Sequence, residues 1–248
     1  MKKFAHYTVI IILICFSACK SKQANEIVVF DAPDQVLWHA ATQTWFVSNL
    51  GGGISLKKDG YGWITRLDKN GNVLTAQWIK NLDAPSGMIS TNKYLFVCDR
   101  TGVYQINIEK ATIEKEFLLP EAEFVNDIVI SPAGDLYVSD FFGNKIFRIP
   151  AETRKPEVFL NLNESPDGLY MDNDTLVIAT WGKISNKNTF ETSKKGKILL
   201  VDTKTKQVRP LLSQLEEIGN LEGITKSTDG AYFVTDWASG KLLKVTSS

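Results

Sequence analysis

Three features of the sequence predict an all-β chain, a β-propeller of four-stranded blades. The first is a motif that recurs five times: APDQVLW, APSGMIS, FVNDIVI, SPDGLYM and NLEGITK. The second is the β-rich run that follows each one: TWFVSN, YLFVCD, DLYVSD, TLVIAT and AYFVTD. Aligned on Asp34, Ser86, Asn126, Asp167 and Glu222, these runs end 15, 13, 14, 13 and 14 residues later, at Asn49, Asp99, Asp140, Thr180 and Asp236. A register held five times marks a repeat architecture. The third feature is a further run in every unit: GWITRLD, GVYQIN, KIFRI, GKILLVD and GKLLKV. Val, Ile, Leu and aromatics between Gly, Asn and Asp punctuation are the signature of strands joined by tight turns.

The remaining elements follow in chain order. Fourth strands are expected at VLTAQWI, TIEKEFLL, PEVFL and QVRPLL, while the fifth unit reaches Ser248 without one. Residues 26–30, Glu-Ile-Val-Val-Phe, precede the first unit and can supply it. A ring closed by its N-terminal strand in this way hides its sheet edges, which exposed edges require. The count is five blades, with six as the alternative. Residues 50–61 and 182–195 are longer than the other loops but too short for a blade, and residues 214–220 have room for one short turn.

The ends and the composition set the context. With 44% hydrophobic, 10% aromatic and 23% charged residues, the chain has globular composition, which excludes a disordered, collagen-like or coiled-coil protein. Lys2 and Lys3 precede an apolar run from Tyr7 to Phe16, then Ser17 and Ala18. That run is too short to span a bilayer and fits the apolar region of an export signal. Phe16-Ser17-Ala18-Cys19 resembles the lipobox of bacterial lipoproteins, with Phe where Leu is usual. The resemblance implies a signal peptide over 1–18, lipidation of Cys19, a polar tether over 19–25 and a propeller domain over 26–248. The expected place is the cell envelope, on a membrane and facing the periplasm, with membrane contact through the lipid alone. Outside the signal there remain 26 basic and 28 acidic residues, so nucleic acid is not an expected partner. A monomer is expected. Beyond Cys19 only Cys98 is left, in an apolar run that reads as buried, so no disulfide framework exists.

In a propeller the first strand of each blade lines the central channel. Asp34, Ser86, Asn126, Asp167 and Glu222 therefore begin the five inner strands and are expected to meet at one channel mouth. Three carboxylates, an amide and a hydroxyl form an oxygen-only set whose like charges favour a cation. Oxygen donors without His or Cys suit Ca²⁺, with Mg²⁺ or Mn²⁺ possible. Asp99, Asp140 and Asp236, at the ends of the second strands, read as acceptors for loop backbone. The next positions, Leu50, Arg100, Phe141, Trp181 and Trp237, face the same mouth and are the expected walls of a small-molecule pocket. The loops 50–61 and 182–195 leave from the same rim and are placed to form a lid. His39 reads as structural, Lys194-Lys195-Gly196-Lys197 as a solvated hairpin entry, and no hydrolase elbow or phosphate-binding loop is present.

FVNDIVISPAGDLYVSD, SPDGLYM and NLEGI with AYFVTDW resemble the senescence marker protein/gluconolactonase/luciferin-regenerating-enzyme-like family over roughly residues 31–245. The resemblance implies a divalent-metal site in the channel and hydrolysis of lactones or related esters. By motif, Asp34 matches the family's first-blade acid and Asn126 its Asn-Asp asparagine. Glu222 by order, or Asp167 by literal motif, matches its catalytic Asp. The metal set implied is Asp34, Asn126, Asp167 and Glu222, with Asp167 and Glu222 as catalytic acids and Ser86 at the pocket. Phe124 stands where the sugar-lactone enzymes carry Arg.

Overall fold

The computed structural model describes residues 29–52, 58–212 and 217–246. Among them are twenty strands and no helix, arranged as five small antiparallel sheets that form a five-bladed propeller. The first blade orders β1 (Pro33–His39), β2 (Thr44–Asn49), β3 (Gly62–Leu67) and β4 (Val73–Leu82) from the channel outwards. The second holds β5 (Pro85–Ser90), β6 (Tyr94–Asp99), β7 (Gly102–Asn107) and β8 (Thr112–Leu118). The third holds β9 (Val125–Ile130), β10 (Leu136–Asp140), β11 (Lys145–Ile149) and β12 (Glu157–Asn161). In the fourth, β13 (Ser165–Asp172) and β14 (Thr175–Asn186) are followed by β15 (Glu191–Lys195), β16 (Ile198–Asp202) and β17 (Val208–Pro210). The fifth shows β18 (Leu221–Lys226), β19 (Tyr232–Asp236) and β20 (Lys241–Val245).

These strands fall where the recurring runs place them, and the blade count is five, not six. One departure concerns residues 182–195. They are not an open loop: β14 continues to Asn186, turns, and pairs back along β15, with Gly182 opposite Lys195 and Lys183 opposite Lys194.

Apolar clusters fill the seams between blades one and two, two and three, three and four, and four and five. Phe46, Ile64, Leu82, Met88 and Leu95 join blades one and two. Cys98, Phe117, Val125 and Phe147 join two and three. Tyr137, Phe159, Leu169 and Ile178 join three and four, and Val177, Leu200, Tyr232 and Val234 join four and five. Cys98 is an inert core thiol, fully buried, its pKa pushed far up by burial. His39 is structural as expected: Nε2–H donates to the Thr91 carbonyl at 3.1 Å, and Nδ1 lies 2.7 Å from the Thr42 hydroxyl.

The fifth seam differs. Strand alternation turns Val36 and Trp38 of β1, and Leu242 of β20, away from those clusters, and they are 59%, 37% and 66% exposed. The expected closing strand, residues 26–30, belongs to this seam, but residues 26–28 lie outside the described residues. Val29 is described. Its carbonyl accepts bonds from Thr65 Oγ1 at 2.8 Å and Trp63 Nε1 at 3.3 Å, both on β3.

Candidate functional site

The site begins with a backbone irregularity repeated in all five blades. Every inner strand loses register against its neighbour at the same place: between Pro33 and Val36, Pro85 and Met88, Val125 and Ile128, Pro166 and Leu169, and Leu221 and Ile224. Two residues there oppose one, which is a β-bulge. The pairs are Asp34-Gln35, Ser86-Gly87, Asn126-Asp127, Asp167-Gly168 and Glu222-Gly223. A bulge leaves one amide unpaired, and in three blades the opposing hydroxyl accepts it. Gln35 N–H donates to Ser48 Oγ at 3.0 Å, Asp127 N–H to Ser139 Oγ at 2.9 Å, and Gly223 N–H to Thr235 Oγ1 at 2.9 Å. The five aligned sequence positions are thus the first residues of five bulges, which aim their side chains out of the ladder.

Four of those five side chains line one pocket of about 260 Å³: Asp34, Asn126, Asp167 and Glu222. Its walls are apolar and aromatic, with Phe141, Trp181 and Trp237 present as the sequence predicts. Trp181 meets Phe141 edge-on at 5.5 Å between ring centroids and Trp237 at 5.3 Å. Leu50 and Phe124 complete this wall. Ser86 and Arg100 are not on it. Ser86 is buried, and its short hydroxyl donates to the backbone carbonyl of Asn126 at 2.8 Å. Arg100 offers its own carbonyl to the Val125 amide at 2.8 Å.

Two contributors escape a reading of the sequence. Phe190 comes from the β14–β15 hairpin and folds back over the pocket; Trp181 Nε1–H donates to its carbonyl at 3.3 Å, and it stacks on Phe142 at 5.8 Å. Lys187, near the hairpin tip, pairs with Glu123 of the third blade. The hairpin therefore spans from blade four to blade three as a cover. The other is Asp127, beneath the pocket, whose signal is its place directly after Asn126 in the repeated motif.

Burial and mutual repulsion dominate the electrostatics. Asp34 is exposed at the pocket mouth, yet the protein packed around its carboxyl, with Glu222 and Asp127 nearby, pushes its pKa up to about 7. Asp167 is pushed well above the carboxylate range by burial, then by Glu222, Asp34 and Asp127. Burial also raises Glu222. Asp127 reaches about 6 through burial, against the opposing pull of hydrogen bonds from Leu169, Ile128 and Gln35. Among the described residues, no Lys, Arg or His lines the pocket. The donor chemistry, oxygen only with excess negative charge, fits a hard divalent cation. Among the described residues, however, no three His, Cys, Asp or Glu side chains already stand together as a ligand cluster.

A pH dependence follows. Folding favours the protonated form of carboxyls whose pKa is raised, so the unfolded chain, at the ordinary Asp value of 3.8, binds fewer protons between about pH 4 and 7. The contribution of these pocket carboxyls to the stability of cation-free protein is expected to be fully present below pH 4 and to be lost as pH rises through 7. Melting curves across this range check it; stability that climbs with pH would contradict the site's electrostatics.

The acids at the second-strand ends serve the loops, as expected. Asp99 accepts from Asp83 N at 3.0 Å and from Ala84 N. Asp140 accepts from Phe124 N at 2.9 Å and Gly143 N at 3.1 Å, and Asp236 from Asn220 N at 3.0 Å. They fix the loops that carry Phe124, Phe141 and Trp237. A second, wider cleft of about 860 Å³ borders β15, where Lys183, Lys194 and Lys195 line it and Lys197 pairs with Glu164 at 3.6 Å.

No protein-family model matches the chain, and no curated protein matches it. Solved structures do. The chain is similar to a structure from the nidogen/laminin complex, with TM-score 0.66 and 14% identity over 88% of this chain and 76% of that one. It is also similar to virginiamycin B lyase from Staphylococcus aureus, with TM-score 0.58 and 16% identity over 87% and 70%. Hydrazine synthase from Kuenenia stuttgartiensis matches at TM-score 0.55 and 14% identity, over 90% and 79%. The shared feature is the fold. The chain is a β-propeller. The gluconolactonase-like resemblance rests on the motifs themselves.

Proposed function

We propose that the protein is a metal-dependent hydrolase of a lactone or related ester, working in the bacterial cell envelope. The observation that carries the reading is the placement of Asp34, Asn126, Asp167 and Glu222 on aligned bulges at the floor of an aromatic pocket. These four would hold one divalent cation, most suitably Ca²⁺, which when bound supplies polarisation of a carbonyl. The apolar body of the substrate lies against Trp181, Trp237 and Phe141. Phe190 and the β14–β15 hairpin keep bulk water from it. Glu222, less buried than Asp167, takes a proton from the attacking water and returns it to the leaving oxygen as the ester bond breaks. Asp167, deepest of the set, serves the cation. Attachment to the membrane through lipid on Cys19, outside the described residues, belongs to the same proposal.

The test is a panel of lactones and esters assayed with purified protein, with and without chelator. Turnover is expected to vanish with chelator, to return with added Ca²⁺, and to fall by about 10²–10⁴ in Glu222→Gln. Binding without turnover, with or without metal, would support a second reading, a non-catalytic ligand- or protein-binding propeller. The aromatic walls Phe141, Trp181 and Trp237, which can hold an apolar ligand by contact alone, are the observation that favours it.

A further inference from the structure

The second residues of the five bulges are Gln35, Gly87, Asp127, Gly168 and Gly223, two polar side chains among three glycines. The two polar ones reach for each other across the channel. Gln35 Nε2–H donates to Asp127 Oδ1 at 3.5 Å, while Gln35 Oε1 accepts from the Met88 amide of the second blade. Asp127 Oδ1 also accepts from the Ile128 amide at 2.8 Å, and Oδ2 accepts from the Leu169 amide of the fourth blade at 2.7 Å. Only one orientation of the Gln35 amide satisfies both of its neighbours. Gly87 leaves space for this crossing: a Cβ there would lie 2.7 Å from Asp127 Oδ1 and 2.6 Å from Asp127 Cα. Gln35, one residue beyond Asp34, and Asp127, one beyond Asn126, thus link the inner strands of blades one to four. They reach backbone amides of blades two, three and four, the last at Leu169, two residues beyond Asp167. Neither lines the pocket.

We infer that Gln35 and Asp127 are positioning residues, a brace across the channel that fixes the bulges and so the distances between Asp34, Asn126 and Asp167. The inference rests on the proposed cation site and names the part of the chain that sets its geometry. A ligand set spread over several blades holds one ion only if those blades keep their spacing. Covalent continuity cannot supply that spacing, because the residues belong to different sheets.

Gln35→Leu is the discriminating variant, since it removes both bonds of the amide and changes no charge. With the fold intact by circular dichroism, calcium affinity measured by titration calorimetry is expected to fall at least about tenfold. The double variant Gln35→Leu/Asp127→Asn should bind no more weakly than the weaker single variant, because both break one brace. Wild-type calcium affinity in Gln35→Leu, whatever its melting temperature, overturns the inference. Should Gln35→Leu fail to fold, Gln35→Asn, one methylene too short to span the channel, is read the same way. If the wild type binds no calcium, the cation proposal fails by itself, and a crystal structure of the variant decides the brace. Displacement of Asp34 or Asn126 by about 1 Å or more supports it, and an unmoved site overturns it.

Discussion

Gly168→Ala is expected to destabilise the protein by about 3 kcal/mol or more, a loss of roughly 6–12 °C in Tm for a chain of this size. An alanine Cβ at this position would sit 1.9 Å from the backbone carbonyl oxygen of Glu222 and 3.2 Å from Gly223 Cα. Backbone cannot rotate aside as a flexible side chain can, so the inner strands β13 and β18 must separate. Asp167 and Glu222 sit beside that contact, and the same substitution should impair ligand binding. Gly223 occupies the equivalent bulge position one blade later, yet a Cβ there meets only Thr235 Oγ1 at 3.6 Å, an ordinary contact. Gly223→Ala is therefore expected to change stability by no more than about 0.5 kcal/mol. Paired thermal melts check the contrast. Equal losses at the two positions would mean that the close approach of β13 and β18 is not what the glycine serves.

Asp167→Asn is expected to move stability the other way. Asp167 is 2% exposed, and Asp34, Asp127 and Glu222 all oppose its ionisation. The isosteric amide removes that repulsion, so at pH 8 the cation-free variant should melt above the wild type, by about 2–4 °C for each kcal/mol relieved. At pH 4 most of the difference should vanish, because the wild-type carboxyl is then protonated too. The price is the proposed site, where loss of a charged ligand should weaken calcium binding about a hundredfold or more. A variant that is less stable at pH 8 would show that Asp167 is held by favourable contacts rather than tolerated. One that is more stable but binds calcium normally would remove Asp167 from the ligand set.

The blades were legible because strand runs and turns recur in a register that one-dimensional inspection can detect. The floor of the pocket was legible for the same reason: Asp34, Asn126, Asp167 and Glu222 share a position, and a propeller makes equivalent positions converge. Convergence in register does not guarantee convergence of side chains, however. Ser86 has the right position but a hydroxyl whose nearest acceptor is the Asn126 carbonyl, so it turns into the neighbouring strand. Residues 182–195 read as loop because their Lys, Asn, Thr and Ser content hides a weak alternation; pairing with the extended β14 makes them a hairpin and brings Phe190 to the pocket. Asp127 was hidden behind its neighbour, since the motif drew attention to the first residue of each bulge. The contrast of Gln35 and Asp127 with three glycines at the second position was present in the sequence, but its meaning needs the channel.

The bulges divide the inner ring into two kinds of instruction. Ladder residues specify which strand lies beside which, whereas the ten bulge residues stand outside that code, with four of the five first positions on the pocket. Strand pairing places few demands on them beyond size, as the range from glycine to glutamine at the second position illustrates. Chemistry can therefore be rewritten at the first positions, whereas Gly87 and Gly168, where a Cβ would meet backbone oxygen at 2.5 and 1.9 Å, are fixed by the packing of neighbouring blades. For the protein engineer, this is a scaffold whose vocabulary of reactive groups can be exchanged at the four first positions that line the pocket without editing the grammar of its fold.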